Sequence, residues 1–286
     1  MRRSLLTLAF TLLTILSFSQ RLHVGVFGGL AAYNGDLTEK IYPKKMTNGV
    51  IGASLNYELT DNFMLRGQLS YAVVGGDDKY SDNAELRQRN LNFESRILEA
   101  SLVAEYYLLN LYDNRFSPYV FAGLGFYHAT PYTYSPTDGN KVYLRPLRTE
   151  GQGLPGYTGL NVESNFQMNI PLGAGVKYAI SDKVHLGLEL GIRKLFTDHF
   201  DDVSTAYADP ADLLAGPGGI LAVQYSYRGD ELPGGNPAYP AKAATRGGSR
   251  YKDLYYFTGL HLTYRLDFSN GLFGGKDRNG CPPRPY

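Results

Sequence analysis

The sequence predicts an all-β protein, an eight-stranded antiparallel up-and-down transmembrane β-barrel with short periplasmic turns and long extracellular loops. Three observations predict it. Segments that alternate apolar and polar residues recur about eight times, each about 10 to 15 residues long, enough to cross a bilayer at a tilt. The connections between them alternate long and short. The even-numbered segments each end on a tyrosine that shares parity with their aliphatic residues.

Composition agrees. The 286 residues include Gly 33, Tyr 24 and Trp 0, an enrichment that suits strands and turns rather than helices. With 28 Lys+Arg against 27 Asp+Glu, the formal charge of +1 gives no bulk attraction to nucleic acid. A single cysteine, Cys281, excludes an internal disulfide framework.

The opening "MRRSLLTLAFTLLTILSFSQ" places Arg2 and Arg3 before an apolar run from Leu5 to Leu16, then Ser17 and Ser19. This is the pattern of a secretory signal peptide, and the run is short for a membrane-spanning helix. The expected organisation is a signal peptide over 1–19, a barrel over 20–268 and a periplasmic tail over 269–286.

The expected strands are Leu22 to Ala31, Gly49 to Leu59, Phe63 to Val74, Phe93 to Tyr107, Pro118 to His128, Gln167 to Ala179, Val184 to Phe196 and Leu254 to Leu266. Connections after the second and sixth, "TDN" and "ISDK", are tight, and "LLNLYDNRFS" after the fourth is modest. Those after the first, third, fifth and seventh are long: Ala32 to Asn48, Gly75 to Asn92, Ala129 to Phe166 and Thr197 to Asp253. The Pro/Gly content of the last leans toward disorder. Its "GPGG", Gly216 to Gly219, lacks the Lys and Ser/Thr of a phosphate loop, and no helix is expected after it.

In "KVHLGLELGIRKLF", Val184, Leu186, Leu188, Leu190 and Ile192 share one parity, and His185, Glu189 and Arg193 share the other with glycines. The aliphatic set is expected to face lipid and the charges to face the lumen, the glycines making room for larger neighbours. Arg66, Glu99, Glu105, Lys177, His261 and Arg265 join the inward set. Eight strands enclose a space that side chains fill, so these charges are expected to form a paired plug. His185 and His261 are within reach of each other or of Glu189. Tyr57, Tyr106, Tyr178 and Tyr264 form half of an expected aromatic girdle at the periplasmic interface.

Neither cofactor nor metal site is expected, since the histidines have no zinc spacing. An enzyme is not expected either: a lipid hydrolase would need polar catalytic groups on the lipid face, where Thr258 is the isolated exception. No small-molecule substrate is evident.

Several stretches resemble the PorG-like outer-membrane β-barrel family, a domain family of unknown function linked to type IX protein secretion and gliding. They are "YNGDL" (33–37), "SPYVFAGLG" (117–125), "NIPLGAGVKY" (169–178), "LELGIRKLFTDHFDDVSTAY" (188–207) and "YYFTGLHLTYRL" (255–266). The resemblance implies a barrel in the outer membrane of a Gram-negative bacterium that anchors periplasmic secretion-machinery proteins. It marks Asp36, Asp198, Asp201 and Asp202 as family-typical loop positions, and it transfers no catalytic residue. Locally, the last three are placed to cap the outer rim or pair with Arg193 or Lys194.

The expected partners are outer-membrane lipid and periplasmic secretion proteins. Tyr112, Arg115 and Phe116 in the 108–117 turn, with Cys281 in the tail, are the candidate partner-binding residues. The alternative is a surface-binding or adhesion barrel that works through its outer loops.

Overall fold

The computed structural model describes residues 21–38, 43, 45–248 and 252–266. The expected signal peptide, the tail 269–286 and Cys281 lie outside the described residues.

The described residues form nine strands: β1 (Leu22–Asn34), β2 (Asn48–Glu58), β3 (Phe63–Asp77), β4 (Asn92–Tyr107), β5 (Phe116–Tyr134), the short β6 (Lys141–Tyr143), β7 (Phe166–Ala179), β8 (Val184–Leu195) and β9 (Leu254–Arg265). Eight of them pair antiparallel in chain order, and β9 returns to β1 to close the ring. The three-residue β6 only extends the outer end of β5 as a hairpin. Closure leaves the barrel without a free edge.

The barrel is turned inside out relative to a soluble one. On β8, Leu188 and Leu190 are 52% and 46% exposed, whereas Glu189 and Arg193 are 1% and 2% exposed. Leu30, Ile51, Leu69, Leu102, Leu124 and Leu260 repeat that exposure around the ring. Such a continuous apolar belt is stable only against hydrocarbon.

Glycines on the inner face leave room for rings. A Cβ on Gly175 would lie 2.7 Å from the Tyr119 ring, and one on Gly191 would lie 3.0 Å from Phe121.

At the long-connection end, β1, β3 and β5 run past their expected ends to Asn34, Asp77 and Tyr134. There the alternation disappears: Ala31 to Tyr33 and Val74 to Asp77 are buried consecutively. Both faces are covered at this level, by the barrel interior and by a folded cap.

That cap corrects two expectations. The Thr197 to Asp253 connection is folded over residues 197–248, and "GPGG" does run into a helix. Helices α1 (Ala84–Arg89), α2 (Pro210–Ala215) and α3 (Gly219–Ser226) pack over the mouth. Asp209 accepts a hydrogen bond from the Ala211 amide, and Pro210 occupies the first turn of α2, where a missing N–H costs nothing. Ala222 and Tyr225 of α3 join the core formed by Phe200, Val203, Ala208 and Leu213. Proline and glycine here serve as helix punctuation between apolar residues.

Candidate functional site

Inward charges from separate strands meet in the lumen. Arg66 of β3 lies 3.1 Å from Glu105 of β4 and 2.7 Å from Glu189 of β8, while Lys177 of β7 lies 3.2 Å from Glu105. One layer outward, Arg193 lies 3.5 Å from Glu99. Three cations thus face three carboxylates, all at most 2% exposed. Neutral donors add to the shell: the Tyr119 hydroxyl donates to Glu189 (2.8 Å), and Tyr255 and Asn169 donate to Glu99 (2.6 and 2.8 Å). Tyr107 bonds both Glu105 and Lys177. Buried ions persist only when paired and hydrogen-bonded in this way.

His261 is held 2.8 Å from Ser54 and 3.0 Å from Arg66. It does not meet His185, which instead lies beside His23 with ring centroids 5.6 Å apart. The register explains the separation, because His261 stands opposite Gly187 and His185 opposite Thr263. Among the described residues Glu105, Glu189 and His261 converge closely enough to ligate a metal. The Arg66 guanidinium sits among all three, so the cation at that position is the protein's own.

The short-turn end is closed by a different group. Tyr112 donates to Glu58 (2.5 Å), and Glu58 also contacts His23 at 2.8 Å. Arg265 sits over the Tyr112 ring at 5.4 Å, which places it at this rim rather than in the central network. Tyr106, Tyr178 and Tyr264 are exposed on the outer face and Tyr57 is half-buried there. Phe116 corrects an expectation: it stands opposite Tyr178 on the outer face, beside the tyrosines, because β5 begins two residues earlier than expected. Arg115 is exposed in the turn, and its carbonyl accepts the Ala179 amide (2.7 Å).

Phe200, fully buried, corks the opposite mouth. Its ring lies 5.8 Å from Tyr33, 6.2 Å from Phe93, 6.0 Å from Tyr127 and 5.8 Å from Tyr255, rings contributed by β1, β4, β5 and β9. Around it sit the loop carboxylates. Tyr33 Oη lies 2.6 Å from Asp201 and 2.9 Å from Asp253. A hydroxyl carries one proton, so two ionised carboxylates cannot both be served by it. Burial pushes Asp253 up to about 8, Asp198 and Asp36 adding to it against the Phe200 amide and the Tyr33 hydroxyl. Burial, with Asp253 beside it, also holds Asp201 well above the carboxylate range. One carboxyl of this pair therefore stays protonated at neutral pH.

The aspartates do not pair with Arg193 or Lys194 as expected. Asp198 accepts from Ser204 (2.7 Å), and Asp202 accepts from Thr149 (2.6 Å). Arg193 is committed to Glu99 deep in the lumen, and Lys194 is exposed on the outer face. Among the cap's ion pairs is Arg246 with Glu150 (2.9 Å), where Glu150 also accepts the Ser204 and Thr205 amides. Burial opposes its charge, but His199, Arg246 and Thr205 outweigh it and bring Glu150 down to about 2. Sequence periodicity had no means of finding Phe200, Glu150 or Arg246, which lie in connections without a repeat.

The outer face also differs from expectation. Thr258 is not the isolated polar group there, since Arg96, His128 and Lys194 are exposed on the same face. His128 is flanked across the sheet by Leu98 and Phe166.

A family model described as "Outer membrane protein beta-barrel domain" matches residues 5–209. The chain belongs to that family. Its place is accordingly a bacterial outer membrane. This outer-membrane barrel is similar in structure to Neisserial surface protein A (10% identity, TM-score 0.42, 86% of this chain and 97% of that one). It is also similar to OprG from Pseudomonas aeruginosa (10%, 0.40, 87% and 98%) and to a major outer membrane protein from Thermus thermophilus (13%, 0.39, 86% and 99%). No curated protein sequence matches it.

Proposed function

We propose that this barrel is a non-enzymatic anchor or scaffold for a type IX protein secretion or gliding apparatus. It is exported by a cleaved signal peptide to the outer membrane of a Gram-negative bacterium. The sequence resemblance to PorG-like barrels suggests the apparatus, and one structural observation supports docking at the periplasmic end.

Two residues beyond each of three girdle tyrosines, on the same outward parity, stands another aliphatic residue: Leu59 after Tyr57, Leu108 after Tyr106, Ile180 after Tyr178. These are 48%, 54% and 55% exposed. Tyrosine marks the interface of a membrane barrel, so the three fall on its periplasmic side. With Leu109 and Tyr112, 44% and 41% exposed, they give the periplasmic rim an apolar surface that a ring-shaped partner would cover.

Affinity isolation from outer membranes tests this. The wild-type barrel should co-purify with periplasmic machinery. Leu59→Ser/Leu108→Ser/Ile180→Ser should lose it while keeping a folded barrel, and deletion of 269–286 would separate the tail's share. Undiminished co-purification of both variants would refute periplasmic docking.

The second reading, a surface-binding barrel, is favoured by the folded cap, which exposes Leu214, Ile220 and Leu221 (51%, 58% and 42%) on α2 and α3. Excising 210–226 and finding secretion normal but surface binding lost would select it.

A further inference from the structure

The outward face of β3, β4, β5 and the short β6 carries a cationic-aromatic cluster near the long-loop end. Arg96 lies ten residues from Tyr106 along β4, on the same outward parity. At about 3.3 Å per residue and a tilt of about 40°, that separation spans about 25 Å of membrane normal, the height of an outer-membrane barrel's apolar band. Arg96 therefore stands at the opposite membrane interface from Tyr106. In an outer-membrane barrel the long-loop end faces outside, so this is the outer leaflet.

At that level Tyr132 is flanked by cations from the two strands beside it. The Arg96 guanidinium lies 6.0 Å from its ring centroid, and Lys141 Nζ lies 4.0 Å from it and 5.7 Å from the Tyr134 ring. Among the described residues neither cation has a carboxylate within salt-bridge distance. Glu94, an acid on this face, is engaged by the Tyr132 hydroxyl at 2.8 Å. Tyr71, Tyr134 and Tyr143 present exposed rings around them (45%, 44% and 52%).

An arginine on a lipid-facing strand is costly within hydrocarbon and much less so at the interface. Two such cations unneutralised by protein carboxylates, set among flat aromatic faces, match a ligand with an anionic group next to a ring of polar and apolar faces. We propose that this cluster is a binding site for the phosphorylated headgroup of an outer-leaflet glycolipid. The phosphate sits between Arg96 and Lys141, and a sugar ring lies against the tyrosines. Lys194 is a built-in comparison: it is exposed on the outer face of β8, ten residues from Val184 and so at about the same height, with no ring stacked on its ammonium among the described residues.

Native mass spectrometry of the full-length barrel in detergent, titrated with bisphosphorylated lipid A or with its dephosphorylated form, tests the site. The wild type should retain the phosphorylated form selectively. Arg96→Gln and Lys141→Gln should each weaken retention about fivefold, and Lys194→Gln should not. These are surface substitutions, and the heat-dependent gel mobility of each variant reports that the barrel is folded. Equal retention of both lipid forms, or equal loss in Lys194→Gln, would overturn a built site in favour of general interfacial charge. Undiminished retention by the double variant Arg96→Gln/Lys141→Gln would overturn it outright.

Discussion

Arg66 Nη1 lies 2.7 Å from Glu189 Oε2 across the barrel lumen, although 123 residues separate them in the chain. This contact explains the alternation on β8: a carboxylate stands among leucines because a guanidinium from β3 waits on the inner side. Truncating Glu189 to Ala would leave Arg66 with Glu105 alone and free the Tyr119 hydroxyl. The expected loss is about 3 kcal/mol, read by urea unfolding in detergent micelles. Replacing both partners with apolar residues, as in Arg66→Met/Glu189→Leu, should cost less than the single change. A single variant as stable as wild type would contradict a paired plug.

Phe200 offers a way to separate the cap from the barrel. Phe200→Ala removes a ring packed against Tyr33, Phe93, Tyr127 and Tyr255, and should destabilise the cap by about 3–5 kcal/mol. Limited proteolysis should then cut within 197–253 while the barrel keeps its heat-dependent gel mobility. Unchanged resistance would mean that the cap does not depend on its cork.

The cap should respond to pH in two directions. Asp253, with its pKa raised to about 8, holds a proton in the folded state that the unfolded chain releases near pH 4. Its contribution is complete below about pH 4 and declines as pH rises to about 8. Glu150, lowered to about 2 from 4.5, contributes above pH 4.5, and that contribution fades as pH falls toward 2. Hydrogen exchange of the cap amides should thus be slowest near about pH 4 to 5 after correction for intrinsic rates. Asp253→Asn, which imitates the neutral acid, should reduce the decline toward pH 8. A profile unchanged by that substitution would show that Asp253 does not hold the proton.

Gly175 tests the inner packing. A Cβ there would lie 2.7 Å from the Tyr119 ring and 2.6 Å from the Leu188 carbonyl. Gly175→Ala should cost about 1–3 kcal/mol by overpacking, and Tyr119→Leu in the same chain should recover part of it. Absence of any recovery would place the strain at the carbonyl instead.

The barrel was legible in the sequence because lipid and lumen impose opposite demands on alternate residues, and that period of two is written into every spanning strand. His185, Glu189 and Arg193 announce an inner face by parity alone, as Leu188 and Leu190 announce an outer one. Arg96 and His128 were equally readable by parity, yet their position at the interface emerges only from strand length and tilt.

The partners within each face were settled by register and by tertiary packing. Parity says that His185 and His261 point inward; only the pairing of β8 with β9 decides that one meets His23 and the other Ser54 and Arg66. In the connections no periodic environment repeats, and the Pro/Gly content of Thr197 to Asp253 leaned toward disorder, while the three-dimensional fold brought Phe200, Asp201 and Glu150 together. Burial there depends on what long-range closure puts overhead, and local chain chemistry carries no record of that.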